Sequence, residues 1–261
     1  MDLDHDRALT EGTTRRRMLG GAGALALTGA MVPLTGTGTA AAWVRGGHPE
    51  GRHGHEGCRG GHSLRDFLNF TVTQERFGVT AVTAAIQKAP GTPSEPFVPA
   101  LQAIVTTEFT HVEALEAIGA EPLTSKFWIP DAVFDGGVVL FTSFAAVEAI
   151  EVSLYLVGVT AFTARSDAFG ARLCAEALGT EAEHRVLSRF AASTLGAPTS
   201  PPANVGFEPF PYQTTSQVRN ALMGLGIGYG EQSSAPGAFY EYPGDPVANG
   251  VGVPVDSPTP E

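Results

Sequence analysis

The stretch "GTEAEHRVL", Gly179–Leu187, sets two glutamates, a histidine and an arginine into an otherwise apolar helical pattern. Glu181 and His184 are three residues apart, so on a helix of about 3.6 residues per turn they share one face. If that face looks into a core, a buried carboxylate needs cations or hydrogen-bond donors beside it. The surrounding pattern supplies the context. From Ser63 to about Leu195 the chain shows long helical periodicity with few breakers. A first helix runs from Ser63, its N-cap, to about Lys88, where "APGTPSEP" stops it. A second runs from about Pro96 to Ile118 and ends at Gly119. A third spans about Thr142 to Ala164, and a fourth about Asp167 to Ser193. The connection "EPLTSKFWIPDAVFDGGVVL" between the second and third is too long for a tight helical hairpin. Two helix pairs joined by one long crossover predict an all-α four-helix bundle.

Each helix carries an apolar stripe at alternating three and four spacing, and a carboxylate interrupts every stripe near its middle. Helix one reads Leu68, Val72, Glu75, Val79, Val82, Ile86; helix two reads Leu101, Ile104, Glu108, His111, Leu115, Ile118. Helix three reads Phe141, Phe144, Glu148, Glu151, Tyr155, and helix four Cys174, Ala177, Glu181, His184, Leu187. Four inward glutamates and two imidazoles at one depth are untenable without compensating cations. Hard carboxylate oxygen and borderline imidazole nitrogen suit iron, manganese or zinc, and carboxylates can bridge two ions.

The register points the same way. Glu75 precedes Glu108 by 33 residues, Glu148 precedes Glu181 by the same 33, and the halves are offset by 73. That is the signature of a duplicated helix pair. One glutamate from each of two helices, plus the Glu-x-x-His units "EFTH" (Glu108–His111) and "EAEH" (Glu181–His184), is the ligand pattern of di-iron and di-manganese bundles. Glu151, one turn after Glu148, either joins or replaces it; its equivalent in the first half is Gly78. Tyr155 is read as a core aromatic hydrogen-bonding a carboxylate, Cys174 as core filler, and Glu113, Glu116 and Glu183 as solvent-facing.

On these six positions the chain resembles the ferritin-like superfamily. "LNFTVTQERFG", "VTTEFTHVEALEAIGA", "VEAIEVSLYLVG" and "EAEHRVL" look like the two helix pairs of its exported bacterial branch, related to plant desiccation-related proteins. The resemblance covers about 63–195. It implies Glu75 and Glu148 as terminal ligands, Glu108 and Glu181 as bridging ones, and His111 and His184 as terminal nitrogens. The implied cofactors are two metal ions, iron first and manganese as the alternative.

Outside the bundle, residues 1–42 read as a targeting segment: "TRRRMLG" resembles the twin-arginine export motif, and "AAAW" offers a cleavage site after Ala42. An uncleaved anchor is the alternative for its short apolar run, and no other segment reads as a bilayer span. Residues 43–62 form a Gly/His-rich linker around Cys58 without fixed ligand spacing. Residues 196–261 read as an irregular Pro/Gly-rich tail with one helical candidate at Thr215 to Leu225. Its aromatics pack partly on the bundle, and the final "PVDSPTPE" is expected to stay off it.

A net charge of −11 argues against nucleic acid and anionic membrane as partners and tolerates metal cations. The expected protein is exported to the periplasm, cell envelope or exterior, with no stable membrane span after cleavage. Its expected partners are metal ions and dioxygen or peroxide, in ferroxidase-type or peroxide-detoxifying chemistry. The alternatives are a non-catalytic metal-binding or stress-protective envelope protein, and a metal-free structural module. A storage cage is not expected.

Overall fold

A computed structural model describes residues 64–199, 201, 205–256 and 259–260. The export segment, the linker and the Ser63 cap lie outside the described residues. Four long helices form the core: α1 (Leu64–Lys88), α2 (Val98–Ala117), α3 (Gly137–Thr163) and α4 (Ala168–Thr194). α1 packs along α2 and α3 along α4, while contact between the two pairs is sparser and runs through α1 with α3 and α2 with α4. This is the four-helix bundle that the periodicity predicts, with the ferritin-like order of two pairs joined by a long crossover.

Local chemistry sets the helix ends. Pro90 and Gly91 (φ +75) stop α1, and a short 3-10 turn, Glu95–Phe97, feeds into α2. α2 closes on Gly119 (φ +91), with Ala120 N–H returning to Leu115 O at 3.0 Å. That left-handed position suits glycine because a Cβ would be strained there. α3 and α4 are joined by a four-residue turn capped by Asp167, whose side chain accepts from Gly170 N–H at 2.9 Å. α3 starts at Gly137, five residues before the sequence-based boundary, because Gly136 (φ +86) makes the break and "VVLF" after it already continues the apolar face.

The long crossover and the tail hold more order than the sequence shows. β1 (Lys126–Pro130) lies inside the crossover and forms the middle of an antiparallel sheet with β2 (Gly228–Tyr229) and β3 (Gly237–Glu241). Phe127 pairs with Tyr229 on one side and Tyr240 on the other. A further helix, α5 (Thr215–Gly224), packs on α3. The sheet is fastened to α1 through aromatic edges: Phe127 meets Phe77 at 5.8 Å and Tyr229 at 6.1 Å between ring centres.

α3 is long and apolar enough to cross a bilayer by length and composition, contrary to the expectation that no segment past the N-terminus would be. Most of that stretch, 61%, is buried in the bundle, which accounts for its composition. The tail also departs from expectation at its end, because Val255, Thr259 and Pro260 lie beside α2 and α4.

Phe127 is fully buried where the sheet meets the bundle. Phe127→Ala should therefore lower the unfolding free energy by about 3–5 kcal/mol in denaturant titration. A loss under about 1 kcal/mol would place the sheet outside the cooperative core.

Candidate metal centre

Midway along the bundle, each stripe delivers its polar residue to a common layer. α1 contributes Glu75, α2 Glu108 and His111, α3 Glu148, and α4 Glu181 and His184. All four glutamates and His184 are buried, and the His111 side chain is 11% exposed. Two sets of ligand atoms converge, each within 4.8 Å: Glu75, Glu108, His111 and Glu181, and Glu108, Glu148, Glu181 and His184. Glu108 and Glu181 belong to both sets. The bundle thus carries a di-metal carboxylate/histidine site, with two places for an ion and two carboxylates between them.

The spacing inside the layer is that of co-ligands. His111 Nδ1 lies 2.8 Å from Glu181 Oε1 and 3.3 Å from Glu75 Oε2. His184 Nδ1 lies 3.0 Å from Glu108 Oε1, 3.2 Å from Glu181 Oε2 and 3.9 Å from Glu148 Oε2. One ring N–H can point at one acceptor, so these crowded contacts cannot all be hydrogen bonds. Two donors held about 2.1 Å from one ion at right angles would stand about 3 Å apart. Glu108 Oε2 and Glu148 Oε2 are buried without a hydrogen-bond partner, and Glu181 Oε1 has only the ion-pair contact with His111. Leaving such oxygens bare costs several kcal/mol each, and a cation removes the cost.

The electrostatics show the same strain. Burial, then the charges of Glu181, Glu75, Glu151 and Glu148, pushes the Glu108 carboxyl well above its usual range. Burial and the neighbouring carboxylates do the same to Glu148 and Glu151. Burial alone would lower His111, but Glu181 and Glu75 outweigh it and lift the imidazole to about 10. Burial likewise opposes ionisation of Glu181, yet His111 and His184 hold it well below the usual carboxylate value. Without metal, protons on Glu108, Glu148 and Glu151 relieve part of the layer's negative charge.

A second ring of residues orients this layer. Tyr155 OH donates to Glu75 Oε1 at 2.6 Å, as the sequence suggested, and burial keeps that phenol protonated. Thr107 Oγ1 meets His184 Nε2 at 2.7 Å and donates its own proton to Ile104 O at 2.9 Å. The hydroxyl is thus placed to accept from Nε2–H, the arrangement that would turn the Nδ1 lone pair toward an ion once a metal replaces the Nδ1 proton. Glu151 lies outside both ligand sets: its Oε1 accepts from Gln74 Nε2 at 2.7 Å, and Gln74 Oε1 accepts from Tyr229 OH. Glu148 is the α3 member of the cluster. Cys174 is buried core, and Glu113, Glu116 and Glu183 are exposed, as expected.

Sequence reasoning did not reach Gln74, Thr107, Tyr229 or the role of Gly78. A Cβ at Gly78 would overlap Glu108 Oε2 and stand 2.9 Å from its Cδ, so only glycine leaves room for that carboxylate. Thr107 had a legible signal, because Thr180 precedes Glu181 as Thr107 precedes Glu108. Tyr229 had none. Beside the centre, between α2 and α4, lies a cavity of about 370 Å³ that reaches His111 and Tyr155. Comparison with protein-family models, curated proteins and solved structures finds no match to the chain.

Two outcomes follow from this geometry. Glu108, Glu148 and Glu151 hold protons in the folded metal-free chain that an unfolded chain releases above about pH 4.5. His111 stays protonated to about pH 10 when folded, against 6.5 unfolded. Both effects withdraw stability as pH rises. Glu181, shifted the other way, contributes constantly above its unfolded value. The melting temperature of metal-free protein should fall from about pH 5.5 to 8, and the gap to metal-loaded protein should widen; a gap independent of pH would refute the proton-for-metal exchange. Gly78→Ala should weaken binding by about tenfold or more, read by metal titration, with the helical signal retained.

Proposed function

We propose that the chain is an exported di-metal protein that reduces dioxygen or peroxide, with Glu75, Glu108, His111, Glu148, Glu181 and His184 as its ligands. Iron is the preferred occupant and manganese the alternative. The observation that carries this reading is the pair of overlapping ligand sets sharing Glu108 and Glu181. A single-ion site needs no shared carboxylates, and a structural salt-bridge cluster would not leave Glu108 Oε2 and Glu148 Oε2 buried without partners.

The residues divide the work. Glu108 and Glu181 span the two positions, Glu75 and His111 complete one, and Glu148 and His184 complete the other. Oxygen and imidazole donors of this kind suit iron and manganese. Two redox-active ions held side by side by these residues would supply one electron each to dioxygen or peroxide, each ion being oxidised by one unit. Thr107 fixes the ring of His184, and Tyr155 holds Glu75 while keeping its own proton beside the cavity. The apolar rows on either side, including Val72, Val79, Leu101 and Leu154, exclude bulk water from the layer.

Export rests on the twin-arginine-like stretch Thr14–Gly20, a route suited to proteins that fold and load metal before crossing a membrane. The periplasm, envelope or exterior is the proposed destination.

Metal analysis after native export should find about two ions per chain. Glu108→Ala or Glu181→Ala should each lose both ions, because each removes a donor from both sets. Adding ferrous ion should then start oxygen uptake in the unsubstituted protein and not in the variants. No bound metal would defeat the reading outright, while two ions without oxygen or peroxide consumption would replace redox chemistry by plain metal holding.

A further inference from the structure

We propose that the cavity between α2 and α4 is the uptake route for divalent cations, that it ends on His111, and that Val255, Thr259 and Pro260 form its outer wall. The inference rests on the two-metal reading of the cluster and adds how that cluster is reached.

The layer is closed on most sides. Glu75 and Glu181 are fully buried, and the Glu108, His184 and Glu148 side chains are 1%, 4% and 7% exposed; the His111 side chain, 11% exposed, is the ligand that lines the cavity. The duplicated halves differ here. Thr107 is tied to the ring of His184, but its equivalent, Thr180, turns its hydroxyl to Glu176 O at 3.4 Å and lines the cavity beside His111. Thr107 also lines the cavity and stands between it and the ring of His184, whereas His111 lines the cavity itself.

The wall suits a cation. Thr110 and Thr180 direct their protons to carbonyls of their own helices, Thr106 O at 3.0 Å and Glu176 O at 3.4 Å, which leaves oxygen lone pairs for a passing ion. Glu176 adds a carboxylate at the rim, paired on its outer side with Arg172 at 3.4 Å. Among the described lining residues there is no lysine or arginine. Hydroxyl and carboxylate oxygens can replace part of a hydration shell in steps, with the imidazole at the inner end.

The outer wall is anchored at one point. Val253 N–H donates to Thr106 Oγ1 at 3.1 Å, and Gly252 lies so close that a Cβ would overlap the same oxygen. Beyond it, Val255, Thr259 and Pro260 line the cavity.

The test uses Co²⁺ as the probe ion with the full chain, reading equilibrium stoichiometry and loading rate from the visible absorption of bound cobalt. Thr180→Phe, a half-buried rim position, should fill the cavity and slow loading by about tenfold or more while about two ions still bind at equilibrium. Thr180→Leu should give an intermediate rate and serves if the phenylalanine disturbs the fold. Gly252→Val should push the tail off Thr106 and speed loading several-fold. Unchanged rates in both Thr180 variants, with full stoichiometry, would overturn the route and leave the centre standing. An unchanged or slower rate in Gly252→Val would overturn the tail's part. Failure of the unsubstituted chain to bind Co²⁺ would remove the centre and the route together.

Discussion

The structure turns on five carboxylates buried in one layer of an apolar bundle: Glu75, Glu108, Glu148, Glu151 and Glu181. Two imidazoles cannot balance them even when both are protonated. The layer must therefore hold cations or protons, because an uncompensated buried carboxylate costs several kcal/mol. Each alternative has a structural mark here: raised carboxyl groups in the metal-free chain, and bare oxygens aimed at two common points. Bundle stability and occupancy are consequently one equilibrium, since whatever binds only the folded layer also favours the fold. Away from that depth the buried polar groups of the helices are uncharged hydroxyls such as Thr71, Thr73, Ser153 and Ser188, so the buried charge is concentrated in one layer.

That layer also holds the two halves of the bundle to each other. Within a half, helices pack closely; between halves the seam is sparse. The bonds that cross it are polar and surround the site: Tyr155 of α3 to Glu75 of α1, Gln74 of α1 to Glu151 of α3, and Thr107 of α2 to His184 of α4. Duplication explains why equivalent ligands meet, and divergence explains these crossings. Gly78 stands where the second half has Glu151, and Val82 stands where it has Tyr155. The first half gives up side-chain volume at Gly78, so that Glu108 can lie flat, while the second half supplies the extra donors and the extra acid. A perfectly symmetric repeat would place a fourth-row carboxylate against Glu108, where there is no space for it.

The six cluster residues were legible because helical spacing converts directly into a shared face, and because two copies of Glu-x-x-His in one register are hard to produce by chance. Helix ends were legible to within a few residues where proline, glycine or Asp167 marked them, and less so at Gly137, where nothing polar intervenes. The orienting groups were opaque for a different reason. Gln74 sits next to Glu75 and off the stripe, so periodicity assigns it no place in the site, yet it is fully buried. Tyr229 approaches from more than 150 residues away along the chain, through a two-residue strand too short to announce itself. The pairing of β1 with β3 is equally non-local, and "KFWIP" on its own reads as loop.

The tail is accordingly part of the centre's construction rather than an appendage to it. Tyr229 reaches Gln74 and through it Glu151, and Arg185, next to the ligating histidine of α4, grips Glu208 through both guanidinium ends at 2.5 and 2.6 Å. These contacts bear on how α3 should be understood. Its 27 residues hold two charges, Glu148 and Glu151, and its composition alone would serve a bilayer. In the bundle those two acids fall at the depth where Gln74 and His184 stand ready for them. Among lipid tails the same pair would be bare, one turn apart and repelling each other. The apolar length of α3 is thus matched to burial between α4 and α5, and its two charges to the layer that the other three helices complete.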